Sequence, residues 1–318
     1  MRRSGLLTAF ASSWCFAFSG PMAKYLGGGG LAPLESVWVR LAGAGLLLVG
    51  VLAAVRPRAL RIPRARLPFF GAYAVVAVAG VQALYFAAIT RLPVGVTLLI
   101  EFTAPVFVVL WVRFVRRVRL PRAAFTGAVV AVAGLGIVVE VWSGLSLDPL
   151  GLLPAFGAAA CCAGYFLLSD GFGDDVDPLG LIAWGLVGAA AVLVPVSRPW
   201  DIPWEAFGDA VAPSPGAPVL PVAAAALWMI LIATVAAYIL GVTAVRRLSA
   251  AVGSTVASLE VIAGAVVAWL LIGEALGVFQ ILGGLIVLTG AYLAQRATAD
   301  LPVRAGSADP AGEPVAAG

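Results

Sequence analysis

Long apolar runs separated by short polar segments dominate the chain, and their length sets the expected fold class. Ten runs can be marked, at 5–24, 34–55, 67–90, 92–112, 123–142, 149–169, 178–197, 219–244, 248–272 and 275–295. As helices rising about 1.5 Å per residue, such runs cross a hydrocarbon core of about 30 Å. The first run follows Arg2 and Arg3 as the apolar part of a signal peptide would, but it is too long for one and nine more follow. The pattern predicts an all-α membrane protein with ten transmembrane helices.

One run carries an acid in its interior. In L-P-V-G-V-T-L-L-I-E-F-T-A-P-V, residues 92–106, Glu101 stands roughly 13 Å along the helix from Leu92, close to the middle of the bilayer. An ionisable group at that depth is costly and by default faces a cavity. Four residues on, Pro105 has no N–H to donate to the Glu101 carbonyl, so the helix is expected to break there. Broken backbone at membrane depth is tolerated where it lines a protein-walled cavity. The plainer alternative is an acid paired to a neighbouring helix for packing alone.

Composition narrows the chemistry. The 318 residues are 62% hydrophobic and 11% charged, against roughly 45–50% apolar and 25% charged in soluble domains. The absence of histidine removes His-based triads, metal sites and proton relays together, leaving any proton handling to carboxylates. Cys15, Cys161 and Cys162 lie in apolar runs and offer neither a disulfide framework nor zinc spacing, so no cofactor is expected. The net charge of +4 is carried by arginines in loops between spans and implies no nucleic-acid partner.

Those arginines also give an orientation. One set of loops carries Arg2 and Arg3, the arginines of 56–66 and 113–122, Arg246 and Arg247, and Arg296 and Arg304; the other carries only Lys24, Arg91 and Arg198. The positive-inside rule then places both termini in the cytoplasm of a bacterial-type plasma (inner) membrane protein. Trp38, Trp142, Trp269 and Trp111 fall near the expected boundaries, as an aromatic belt would. The 198–218 connection is the only long external segment, read either as an interfacial element resting on Trp200, Trp204 and Phe207 or as a plain Pro-rich loop. The Ala-, Gly- and Pro-rich tail 298–318 is expected to be disordered and cytoplasmic.

Self-comparison shows a repeat. G-L-L-T-A-F-A-S-S-W-C-F-A at 5–17 returns as G-L-L-P-A-F-G-A-A-A-C-C-A at 151–163. Later, Arg91-Leu92 matches Arg247-Leu248, while Gly127 and Gly134 match Gly283 and Gly290 in one register. The reading is two five-helix units, 1–145 and 146–297. Five is odd, so the second unit enters the membrane in the opposite sense. Such inverted repeats are a common construction of secondary transporters, whose substrate site lies near the midplane. In this register Ala104 answers to Glu260, which puts Glu101 and Glu260 one turn apart in equivalent fourth helices.

At this point the chain resembles the EamA-type members of the drug/metabolite transporter superfamily, and is most similar to their threonine/homoserine exporter branch. The resemblance rests on G-P-M-A-K (20–24), V-R-L (39–41), the 92–106 segment with its E-F-T-x-P core, and S-L-E-V…L-L-I-G-E-A-L-G-V-F-Q-I-L-G-G (258–284). It implies a ten-helix inner-membrane exporter of amino acids and related metabolites, driven by the proton gradient. The family usually has Pro after the ninth-helix Glu; here Val261 follows Glu260, which implies a more regular backbone than at Glu101.

A zwitterionic substrate needs an anion for its ammonium and donors for its carboxylate. Glu101 is the candidate for the first task or for the proton carrier, with Glu260 beside it. Lys24 and Arg40 are the candidates for the second, although Lys24 can also snorkel and Arg40 can pair with Glu35 or a lipid phosphate. Gln82, Tyr85 and Tyr238 are candidate cavity-lining polar groups, and Trp14 and Trp228 candidate neighbours of a cation. A rival reading takes Asp174, Asp175 and Asp177 as Mg²⁺ ligands of an intramembrane prenyltransferase, but no second acidic motif is present to hold the diphosphate. The expectation is therefore a transporter, not an enzyme. It exports a small metabolite, an amino acid such as threonine or homoserine or else another drug or metabolite, with protons as coupling ion and the lipid bilayer as partner. Oligomeric state is left open.

Overall fold

The computed structural model describes residues 2–140, 147–169, 176–247 and 259–299. The helices are α1 (Arg2–Ala17), α2 (Ser19–Gly28), α3 (Pro33–Val55), α4 (Leu67–Ala72), α5 (Val81–Ile89), α6 (Val94–Glu101), α7 (Ala104–Leu110), α8 (Arg122–Val138), α9 (Pro149–Ser169), α10 (Pro178–Ser197), α11 (Val222–Ile230), α12 (Ala237–Arg247), α13 (Leu259–Ile272) and α14 (Val278–Ala299). Three π-helical stretches continue this list: Tyr73–Gly80 joins α4 to α5, Trp111–Val115 extends α7, and Leu231–Ala236 joins α11 to α12.

Joined end to end, these pieces give eight helices among the described residues that are long and apolar enough to cross a membrane. The fifth and ninth expected runs form shorter apolar helices, Arg122–Val138 and Leu259–Ile272; residues 248–258, the start of the ninth run, lie outside the described residues. α14 continues to Ala299, so the expected tail begins later than Thr298, and 300–318 lie outside the described residues.

Several helices are interrupted where the sequence denies them a donor. Pro21 has no N–H for the Ala17 carbonyl, and the first span breaks between α1 and α2 at Phe18. Pro105 does the same to the fourth span, where α6 ends at Glu101 and α7 begins at Ala104. The buried Thr103 hydroxyl donates to the Ile100 carbonyl at 2.6 Å and so satisfies part of the broken turn. α13 is helical at Glu260 and Val261; residue 257, whose carbonyl a proline at 261 would have freed, lies outside the described residues.

The 198–221 segment is more ordered than either expectation for it. It makes 3₁₀ turns at Pro199–Asp201 and Trp204–Gly208, then a two-residue antiparallel pair in which Ala210 faces Pro221 and Val211 faces Leu220. Ile202 and Ala206 are buried beneath it, and Trp204 stacks on Phe207 at 5.4 Å. The strap is tied to the bundle: Tyr25 donates to the Pro218 carbonyl at 2.8 Å and Ser214 to that of Ile272 at 2.6 Å. Trp111 and Trp269 are exposed on the bundle surface. Trp38 is half-buried and packs against the core with its Nε1 buried. Trp142 lies outside the described residues.

The tightest packing joins α8 to α14. A Cβ on Gly127 would meet the Gly290 carbonyl at 2.8 Å, and one on Gly134 would meet that of Gly283 at 2.8 Å. Small residues let helix backbones touch in this way. The order of contacts is reversed along the two helices, so they run antiparallel. The neighbouring Gly284 faces Leu99 of α6. Gly134→Leu should lower stability by about 3 kcal/mol or more, since the clash is with backbone that cannot rotate away. Thermal unfolding in detergent checks this, with Gly136→Leu, where an added Cβ meets nothing within 4 Å, as the indifferent control.

Candidate functional site

Arg40 lies on α3, inside the apolar span, and is 2% exposed. Its guanidinium is held by groups from three other elements. Nε donates to the Thr234 hydroxyl at 2.8 Å, one terminal nitrogen donates to the Ser19 hydroxyl and to Gln82 Oε1 at 2.8 Å, and the other donates to the Ala233 carbonyl at 3.3 Å. Four of its five N–H groups are thus engaged by the protein. The Phe86 ring lies 5.7 Å from the guanidinium carbon.

The backbone irregularities place these acceptors. Ser19 opens α2 directly after the break at Phe18. Thr234 and Ala233 sit in the π stretch Leu231–Ala236, where the wider turn lets Thr234 donate to the Met229 carbonyl five residues back while accepting from Arg40.

Glu101 and Glu260 face the same centre. Both are half-buried, and neither has a hydrogen-bond partner among the described residues. Each lies within electrostatic reach of Arg40, and they lie within reach of one another. Tyr85 and Tyr238 belong to the same field. Tyr85 is buried, with its hydroxyl close to Gly20, and Tyr238 presents its ring to the edge of Phe16 at 5.0 Å.

The remaining sequence candidates lie elsewhere. Lys24 neither snorkels nor reaches the centre: it is ion-paired with Glu274 in the connection between α13 and α14. The second Glu274 oxygen accepts from the Val94 backbone N–H at 2.8 Å, so one carboxylate ties α2 to the first turn of α6. Glu35 does not pair with Arg40 but accepts from the Ala32 N–H at 2.8 Å and caps its own helix. Trp14 packs beside Ala263 and Val267 of α13 and against Phe10 at 6.0 Å. Trp228 pairs with Phe18 and is exposed on the bundle surface.

Sequence reasoning missed Ser19, Thr234, Phe86 and Glu274. The first two had a signal, since each is a hydroxyl inside an apolar run and Ser19 directly precedes Gly20-Pro21. Glu274 stood in a motif taken as a family marker, with no partner foreseen for it.

A model of the EamA-like transporter family matches residues 3–140 and again residues 149–295. The chain belongs to the EamA-like transporter family. Threonine/homoserine exporter RhtA of Escherichia coli strain K12 is 29% identical over 269 residues, covering 84% of this chain and 81% of that one. RhtA of Salmonella typhimurium strain SL1344 is 29% identical over 247 residues, 77% of this chain and 75% of that one. The uncharacterized transporter YwfM of Bacillus subtilis strain 168 is 28% identical over 278 residues, 84% and 89% of the two chains. A solved structure described as "Crystal structure of protein" shares the fold, with a TM-score of 0.61 at 17% identity over 93% of this EamA-family chain and 98% of that one.

Membership in a transporter family runs against the prenyltransferase reading. Asp177 is occupied otherwise, accepting from the Leu179 N–H at 2.9 Å at the start of α10 and pairing with Arg56 at 3.4 Å. Asp174 and Asp175 lie outside the described residues.

Arg40→Lys keeps the charge, but one ammonium cannot reach Ser19, Gln82, Thr234 and Ala233 together. The variant should lose about 2 kcal/mol or more of stability, the scale of one or two hydrogen bonds to a charged group. A thermal shift in detergent reads this, and a variant as stable as the parent would contradict the network.

Proposed function

We propose that the protein is a secondary transporter that exports small amine-bearing metabolites, amino acids of the threonine or homoserine kind or their analogues, by proton-coupled alternating access. In this reading ten helices form two inverted five-helix repeats, 1–145 and 146–297, with both termini and the tail 298–318 in the cytoplasm. Glu101 and Glu260 receive the proton or the substrate ammonium, and Gln82, Tyr85 and Tyr238 line their surroundings.

The observation that carries the reading is the meeting of two acids and one buried arginine drawn from both halves of the chain. Glu101 comes from the first family match and Glu260 from the second. A carboxylate at membrane depth with no hydrogen-bonding partner among the described residues is costly unless it has a proton or a cation to meet.

Two features support the inverted arrangement. The repeat register sets Gly127 against Gly283 and Gly134 against Gly290, whereas in space Gly127 meets Gly290 and Gly134 meets Gly283. Each contact maps onto the other under a twofold exchange, and between antiparallel helices that axis lies across the helices, within the membrane plane. The third and eighth runs each carry a π stretch just before the equivalent positions Gln82 and Tyr238. Closure of the arginine-poor end by Lys24, Glu274 and the strap supports a path gated on that side. The RhtA names support amino acids as cargo; export of another metabolite by the same route is the second reading, favoured by the 29% identity.

Inside-out vesicles test the mechanism. Threonine uptake should follow an imposed pH gradient, and Glu101→Gln should reduce gradient-driven uptake by about tenfold or more, a loss of about 1.4 kcal/mol in transition-state terms. Uptake that ignores the gradient would overturn proton coupling, and an unaffected Glu101→Gln protein would remove that residue from the mechanism.

A further inference from the structure

The charges at the centre do not balance, and the deficit points to a substrate class. Arg40 contributes one positive charge, and Glu101 and Glu260 contribute two acids within its field. Among the described residues, the other titratable groups in reach of the acids are Tyr85, Tyr238, Cys161 and Cys162, all of a kind that is neutral near pH 7. Lys24 and Glu274 cancel one another at one end of the bundle. With both acids ionised the centre is short of one positive charge, and uncompensated charge in a low-dielectric interior is strongly disfavoured.

A proton fills that deficit, and so does a monocation. A zwitterion does not, because its carboxylate brings back the charge that its ammonium removes. Carrying that carboxylate would take a cation with free donors. Arg40 has only one N–H left over and presents no two-pronged face, since Ser19, Gln82, Thr234 and Ala233 already hold it.

We infer that the site takes small amines of net charge +1, such as an amino acid whose carboxyl is masked as an amide or ester, in one-for-one exchange with a proton, in preference to zwitterionic amino acids. Arg40 is then a fixed countercharge to the acid pair and not a carboxylate anchor. This rests on the transporter reading above and refines its substrate.

The test uses purified full-length protein in detergent, in weakly buffered solution near pH 7 with a pH-indicating dye, titrated with threonine amide and separately with threonine. Threonine amide should bind about tenfold or more tightly than threonine and release about one proton per protein, as linkage requires when two ligands exclude each other. Threonine, bound more weakly, should release less at the same concentration. Glu260→Gln balances the Arg40 charge with a single acid, so both the proton release and the preference for the amide should vanish. An effect on stability alone would leave both intact and count against the inference. Threonine binding as tightly as the amide and displacing the proton as fully would overturn it, while the exporter reading would survive if vesicles still took up threonine. Binding of neither compound would overturn both.

Discussion

A guanidinium sealed inside an apolar bundle is the constraint on which the remaining structure turns. Isolated in such surroundings, the Arg40 charge would be prohibitively costly, so the fold must surround it with acceptors. It does so from three directions: Ser19 at the opening of α2, Gln82 on α5, and Thr234 with the Ala233 carbonyl between α11 and α12. Residues about 190 positions apart in sequence are thereby held in one network, with Arg40 and Thr234 separated by 194 positions. Meeting the demands of a single cation draws the two halves of the protein together. Glu101 and Glu260 lie within its field without touching it.

Irregular backbone adjoins several members of that centre. The breaks at Phe18 and after Glu101 and the π stretch Leu231–Ala236 all lie next to members of the cluster. The first brings the Ser19 hydroxyl, and the last the Thr234 hydroxyl and the Ala233 carbonyl, to the Arg40 guanidinium. The seam between α8 and α14 is the opposite case: two uninterrupted helices, with glycines where their backbones meet. One region is built to present polar groups and the other to hold two helices rigidly against each other. A third region, the strap with the Lys24–Glu274 pair, covers one end of the bundle, combining contacts between polar groups with burial of Ile202 and Ala206. The same end carries Arg91, whose hydrogen bond holds the Asp148 carboxyl below its usual range.

Much of this was readable from the linear pattern. Apolar runs of membrane length announced the helices, Pro105 announced the break beside Glu101, and Gly127, Gly134, Gly283 and Gly290 marked matching positions where a Cβ is missing. These are local properties, set by hydrophobic length, a missing N–H or a missing Cβ, and they act wherever the residue lies. The likeness of the two halves was legible for the same reason, as repetition needs no coordinates.

Partnership was not legible. Lys24 and Arg40 looked equivalent as lone cations near one face, yet one is spent on Glu274 and the other is sealed in the core. Glu35, five positions from Arg40, bonds to its own helix start instead. Sequence lists which charges exist and how deep each lies along its own helix. Which charge answers which depends on how helices cross, and that is decided by packing among segments far apart in the chain, because an ion pair or hydrogen bond forms over about 3 Å while the sequence records only contour length.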